Sequence, residues 1–241
     1  MKSLGVIVAR GGSKRVPRKV LRQLAGHPVI AWMVRAALNS GLDRVILSTE
    51  DDEIASTAES YGAEAPFRRS IALAQDYTRN DAVLLDAVNR VDSEAAYDAV
   101  VLLQSAAPFV RPDQINACVA RLAEGDANCV FAARAVREPP EWMFYETSEG
   151  TAARLLGGEL VGGKQLSQSH RKAFIPAGSV WAIRAEALRA REAVYVPPLA
   201  MIELPHECAV DLDEEVDFLI AEATAQHYRF TLPPLPERRS A

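Results

Sequence analysis

Six basic residues crowd thirteen positions near the start of this chain: Arg10, Lys14, Arg15, Arg18, Lys19 and Arg22. Between them stand Gly11, Gly12, Ser13 and Pro17. Glycine lets a backbone approach a ligand closely enough for its N–H groups to face anionic oxygens. Arg adds a planar fork that matches phosphate, and Lys a compact point charge. The whole chain has 27 Lys and Arg against 32 Asp and Glu, a formal charge of −5. A basic cluster in an acidic chain needs a reason, and the phosphates of a nucleoside triphosphate supply one. The competing reading is a solvated basic turn. The spacing matches neither G-x-x-x-x-G-K-[ST] nor G-x-G-x-x-G, which supports neither a P-loop NTPase nor a Rossmann dehydrogenase.

Two further stretches carry candidate chemistry. In Asp211-Leu212-Asp213, carboxylates two apart at a strand end would point to one side and could share Mg²⁺. Asp213 with Glu214 and Glu215 equally suits a helix N-cap with an acidic first turn. In Gln104-Ser105-Ala-Ala-Pro108-Phe-Val-Arg111-Pro112, a strand ends in polar side chains and an Arg precedes a helix. Alone, that is also an ordinary strand-to-helix turn.

Cys118, Cys129 and Cys208 are far apart and show neither zinc-ligand spacing nor a disulfide framework, so reduced thiols and a cytoplasmic location are the default. His27, His170, His206 and His227 are scattered, which disfavours a histidine metal site and leaves no readable general base. An acidic chain lacks the broad basic face of a nucleic-acid binder. No apolar run approaches the roughly 18 residues of a membrane span. Leu4 to Ala9 is too short for a signal-peptide core.

These candidates need a frame, and the alternation of patterns provides it. Leu4–Ala9, Arg44–Ser48, Ala99–Leu103, Cys129–Ala133 and Ser179–Ile183 are short apolar runs that read as buried strands. Helices are expected over 29–38, 51–61, 81–91, 112–124, 186–191 and 214–228. Pro112 opens one of them, and Gly41 and Gly62 follow two others. This alternation predicts an α/β fold with a doubly wound, mostly parallel sheet covered on both faces. Residues 1–230 form one domain in this reading. Within it, 138–174 is an inserted hairpin and loop element containing Pro139-Pro140, Gly157-Gly158 and Gly162-Gly163, and 231–241 is an extended or disordered tail. Ligands of such sheets bind beyond the carboxyl ends of the strands, where loops 10–19, 104–111 and 211–213 would lie.

Together these residues resemble the acylneuraminate cytidylyltransferases, the CMP-sialic acid synthetases. The loop Ala9-Arg-Gly-Gly-Ser-Lys-Arg-Val-Pro-Arg-Lys19 is similar to that family's nucleotide-binding signature. Leu47-Ser-Thr-Glu-Asp51, Pro66-Phe-Arg-Arg69 and Leu73-Ala-Gln-Asp76 are similar to family segments in the same order. So are Leu103-Gln104 with Pro108 and Arg111, and Asp211-Leu-Asp213 with Asp217-Phe218. The likeness spans most of residues 3–228. It implies a nucleotidyltransferase-like fold, and attack by a sugar hydroxyl on the α-phosphate of CTP with loss of pyrophosphate.

By the same resemblance, Ala9, Gly11, Gly12 and Ser13 would cradle the nucleotide. Arg10, Lys14 and Lys19 would hold its triphosphate through the reaction. Arg69 and Asn80 would lie near the cytidine, and Asp211 and Asp213 would bind Mg²⁺. Gln104 would face an acidic sugar, with Arg111, Arg171 and Lys172 as further acceptor contacts. The insertion would make a homodimer. Three departures stand out: Val20 follows Lys19 where the family has Asn, Ser105–Val110 replaces Pro-Thr-Ser-Pro-Leu, and Ala177-Gly-Ser-Val-Trp181 replaces Asn-Gly-Ala-Ile-Tyr. The last two fall where the family holds its sugar, so another ulosonic acid or a phosphonate is an alternative acceptor. A non-catalytic nucleotide-binding regulator is an alternative of a different class.

Overall fold

Strand β1 (Ser3–Val8) is buried at all six positions, and its side chains divide between two cores. Ile7 faces one; Leu4, Val6 and Val8 face the other. That division requires helices on both sides of the sheet. The computed structural model, which describes residues 1–157 and 171–236, has them there. Along the chain follow β2 (Gln23–Leu24), β3 (His27–Pro28), α1 (Val29–Leu38), β4 (Arg44–Ser48), α2 (Asp52–Ser60) and α3 (Asn80–Val91). Next come β5 (Ala99–Gln104), α4 (Pro112–Glu124), β6 (Cys129–Ala135), β7 (Phe144–Glu146) and β8 (Ala152–Arg154). The last are β9 (Phe174–Arg184), α5 (Ala185–Arg191), β10 (Leu199–Glu203) and α6 (Glu215–Tyr228).

The central sheet has six strands in the order β4-β1-β5-β9-β6-β10. β1 pairs in parallel with β4 and β5, and β6 with β10; β9 is antiparallel to both its neighbours. Ile30, Met33, Ile54 and Ile115 from α1, α2 and α4 pack on one face, and Leu84 and Leu188 from α3 and α5 on the other. A fully buried side chain of this kind contributes roughly 1.5–3 kcal/mol. This is the doubly wound, mostly parallel α/β sheet expected from the alternation.

Local boundaries differ from the sequence expectation at informative places. Strand β9 starts five residues before Ser179, running through Pro176 and Gly178. Its first residues pair with the end of β6, Phe174 opposite Ala135, and the Val136 N–H donates to the Ala173 carbonyl (3.0 Å). The expected insertion contains the antiparallel hairpin β7–β8; the glycines at 158, 162 and 163 lie outside the described residues. In the tail, residues 231–236 have no regular structure but are attached, since Asn39 Nδ2 donates to the Pro234 carbonyl (2.9 Å).

Candidate active site

The carboxyl ends of β1 and β5 open onto a cavity of about 550 Å³. Ala9, Arg10, Ser13, Lys14 and Lys19 line it from the basic loop, Gln104 from the end of β5, and Asp213 from the chain before α6. Three loops are stitched together at its rim. Lys19 Nζ donates to the Leu212 carbonyl (2.5 Å) and to Asp213 Oδ1 (3.1 Å), and the Leu212 N–H donates to the Ala106 carbonyl (3.1 Å). Residues separated by nearly two hundred positions thus share one wall.

The basic residues fall into two sets. Arg10 and Lys14 both pair with Asp76, Arg10 Nη1 at 2.8 Å from Oδ1. Lys14 foremost, and Arg10, hold that carboxyl below its ordinary pKa. Arg18 instead donates to Asp51 (2.5 Å) and to Glu53, at the first turn of α2. Asp51 caps that helix by accepting from the Ile54 N–H (2.9 Å), and its bond from Arg18 lowers its pKa. Arg22 reaches both oxygens of Glu215 (2.6 and 2.7 Å) and lies over the Phe218 ring. Two of the six loop cations, Arg18 and Arg22, therefore clasp the loop to α2 and α6. Arg18 has φ 54°, and this left-handed turn starts the 3-10 turn Lys19–Leu21.

The glycines also divide. A Cβ on Gly11 would lie 2.5 Å from Asp51 Oδ2, so Gly11 is needed for packing inside the protein. Gly12 has nothing within 4 Å of such a Cβ and leaves open space.

Beneath the loop lies Arg69, whose side chain is 3% exposed. It donates to the Ala9 carbonyl (2.8 Å) and to Glu50 Oε2 (2.9 Å), while Glu50 Oε1 accepts the Gly11 N–H (2.7 Å). Burial, its largest influence, lowers the Arg69 pKa. Arg69 thus braces the loop through protein acceptors and also lines the cavity, on the side where the resemblance placed it. Sequence reasoning missed Glu50 and Asp76 as participants, although both stand in segments already recognised as family-like. Asn80 opens α3 on the far side of the same cavity.

Six expected contacts do not line the cavity: Gly11 and Gly12 within the loop, and Arg111, Arg171, Lys172 and Asp211 away from it. Arg111 caps α4, donates to Asp113 (3.2 Å) and to Cys208 Sγ (3.3 Å), and has its pKa raised chiefly by Asp113. Lys172 pairs with Glu203 of β10 (2.5 Å), and Arg171 is exposed beside it. Asp211 and Asp213 sit in coil, not at a strand end, and the N-cap of α6 is Glu214, whose box is closed by Asp217. The helix therefore draws its cap from other acids and leaves Asp211 and Asp213 outside it.

Asp211 is still close by, since it feels the charges of the cavity residues Asp213 and Lys19, and it packs against Gly178, where a Cβ would lie 2.5 Å from its Oδ2. Although the residue has an exposed edge, its carboxyl is pushed up to about 6, first by desolvation and then by the charge of Asp213. Among the described residues no group of three or more His, Cys, Asp or Glu could hold a metal ion, so this pair would need oxygens from a ligand to complete a shell. Val20, in the place of the family Asn, is 4% exposed and belongs to the core while touching the cavity wall.

A second cavity, of about 330 Å³, shares Thr78 and Asn80 with the first. Leu102, Trp181, Val194 and Tyr195 form its apolar side, and Arg79 and Asp81, paired at 2.5 Å, its charged side.

Comparison with known proteins agrees with this arrangement. A family model described as cytidylyltransferase matches residues 4–147. The chain is 33% identical to the pseudaminic acid cytidylyltransferase of Campylobacter jejuni over 92% of its own length and 95% of that protein. It is 29% identical to the CMP-N,N'-diacetyllegionaminic acid synthase of Legionella pneumophila, with the same coverage. In fold it is similar to a CMP:2-keto-3-deoxy-manno-octonic acid synthetase solved with CTP, at 16% identity and a TM-score of 0.68, covering 95% of this chain and 99% of that one. The chain therefore belongs to the cytidylyltransferase family and is a nucleotidyltransferase of the kind its likeness to the CMP-sialic acid synthetases implied.

Proposed function

We propose that this protein joins CMP from CTP to a nonulosonic acid of the pseudaminic or legionaminic type and releases pyrophosphate. The observation that carries this reading is the convergence of Arg10, Ser13, Lys14, Lys19 and Asp213 on one cavity, with a second cavity opening beside it at Thr78 and Asn80. The acceptor hydroxyl oxygen forms a bond to the α-phosphorus, the α–β phosphoanhydride bond breaks, pyrophosphate carries away the electron pair, and the hydroxyl proton is lost to solvent.

Arg10, Lys14 and Lys19 oppose the charge that builds on the triphosphate, and the open space at Gly12 admits it. Arg69 and Glu50 keep the loop in place so that no reorganisation is needed as charge develops. Asn80 faces the nucleoside and Gln104 the acceptor. The apolar side of the second cavity suits the acetyl groups of such a sugar.

Asp211 and Asp213 would hold Mg²⁺, and the mutual repulsion that raises Asp211 is what a divalent ion relieves. Bound there, the ion would neutralise phosphate charge. We further infer a homodimer through the insertion, whose Phe144, Tyr145, Leu155 and Leu156 are exposed. A cytoplasmic setting accords with three buried, free cysteines.

Pyrophosphate release tests the reaction, with each of the four triphosphates set against pseudaminic, legionaminic, N-acetylneuraminic and 3-deoxy-manno-octulosonic acids in Mg²⁺. Release that requires CTP and one of the first two acids is expected. No release from any combination overturns the reading.

A further inference from the structure

Arg10 and Lys14 share one carboxylate, and its position has a consequence for the end of the reaction. Asp76 follows the 3-10 turn Ile71–Ala74, which Ser70 caps. The turn is closed locally: Gln75 Nε2 donates to the Ile71 carbonyl (2.8 Å), and the Thr78 N–H to the Gln75 carbonyl (3.1 Å). Arg10 Nη1 bonds Oδ1 of Asp76 at 2.8 Å and also reaches the Ala74 carbonyl (3.5 Å). Lys14, whose side chain is 82% exposed, bonds Oδ2. Among the described residues no other carboxylate lies within ion-pair distance of either cation. Arg15 and Lys19, which also line the cavity, pair with Asp213, and Arg18 and Arg22 have acids elsewhere, so Asp76 serves Arg10 and Lys14 alone.

A carboxylate tethered on the cavity wall acts as an anion at high effective concentration. It satisfies the same donors that a polyphosphate would use, and the two cannot both be fully paired with them. We propose that Asp76 is a positioning residue that competes with pyrophosphate for Arg10 and Lys14, holding both side chains at the cavity and shortening the stay of the leaving group. Triphosphate binding meets the same competition but is aided by contacts of the nucleoside, so the effect falls most heavily on pyrophosphate. The inference rests on the proposed function for the identity of the leaving group. The competition itself requires only that Arg10 and Lys14 bind phosphate.

Calorimetry with inorganic pyrophosphate alone, in chelator and without divalent ions, tests it on the wild-type chain, Asp76→Asn and Asp76→Glu. Asp76→Asn is expected to bind pyrophosphate roughly five-fold tighter or more, because the competitor has lost its charge. Asp76→Glu should return toward wild type, and Arg10→Gln placed on Asp76→Asn should erase the gain. A merely structural Asp76 predicts the reverse, since a loosened loop binds more weakly. Unchanged or weaker binding by Asp76→Asn, or an equal gain in Asp76→Glu, overturns the inference. If the wild type releases pyrophosphate from CTP and the Asn variant binds it no tighter, the inference alone fails. If the Asn variant binds tighter and no acceptor or nucleotide supports turnover, the proposed function alone fails. Absence of binding by every variant overturns the inference and leaves the proposed function to its own assay in Mg²⁺.

Discussion

The two halves of the basic loop use one kind of side chain for two ends. Before Pro17, Arg10 and Lys14 meet a carboxylate on the cavity wall that serves no helix cap. After it, Arg18 meets Asp51, which already caps α2, and Arg22 meets Glu215 over the Phe218 ring, while Arg15 and Lys19, one on each side of Pro17, share Asp213. What separates binding charge from architectural charge is the other duty of its partner. A carboxylate fixed by a helix makes a joint, whereas one fixed only by its own turn can exchange its partner for a ligand.

Substitution across that divide should give the largest contrast. Arg10→Ala should lower kcat/KM for CTP by about 10²–10³, with the thermal midpoint nearly unchanged. Arg18→Ala should lose about 1 kcal/mol of stability, because the pair is partly open to solvent, and keep most activity. Paired kinetics and melting curves measure both, and equal losses of activity would erase the distinction.

The glycines sharpen it at a smaller scale. Gly11→Ala forces a methyl against Asp51, which Arg18 and the Ile54 N–H hold in place, and should cost about 1–3 kcal/mol in denaturant unfolding. Gly12→Ala, with open space around it, should leave stability unchanged and weaken CTP binding. A stable Gly11→Ala would show that the clasp can yield.

The smallest effect concerns Asp211, beside the cavity rather than on its wall. Asp211 binds its proton more tightly in the folded chain, at about 6 against its ordinary 3.8. In metal-free protein its contribution therefore falls as pH rises from about 4 through 6 and stays low above that. Discounted for its exposed edge, this is about 1 kcal/mol. Asp211→Asn should recover it at pH 7 in chelator and lose Mg²⁺-dependent turnover. Melting curves across pH that keep the same slope in the Asn variant would remove Asp211 as the cause.

Legibility in the sequence followed the range of the interaction. Runs such as Val100 to Leu103 announce a strand because burial on both faces leaves no polar position. Edge strand β10 alternates between half-buried and exposed positions, follows two prolines and carries no such signal. The first part of β9 was hidden by Pro176 and Gly178, which tertiary pairing with β6 overrides. The cluster of cations was plain at the site, but its division was not. The deciding acids lie 33 residues from Arg18 and 193 from Arg22, a separation no local pattern encodes. Arg69 was placed near the nucleotide by resemblance alone; it does line the cavity, but its burial against Glu50, which lets a charge sit there, had no sign in the local sequence. The expected strand-end geometry of Asp211 and Asp213 failed because the segment is coil, and their proximity comes from packing beside Gly178 and Lys19.

Strand β9 runs against its neighbours, so the segment between Val136 and Ala173 leaves and returns at one rim of the sheet, beside the carboxyl ends that bear the cleft. The backbone bond joining those two residues closes the segment at its neck. With its two ends tied at the sheet, a change in the length of this segment adds only a slowly growing loop entropy and leaves the pairing of β6 with β9 at the neck in place.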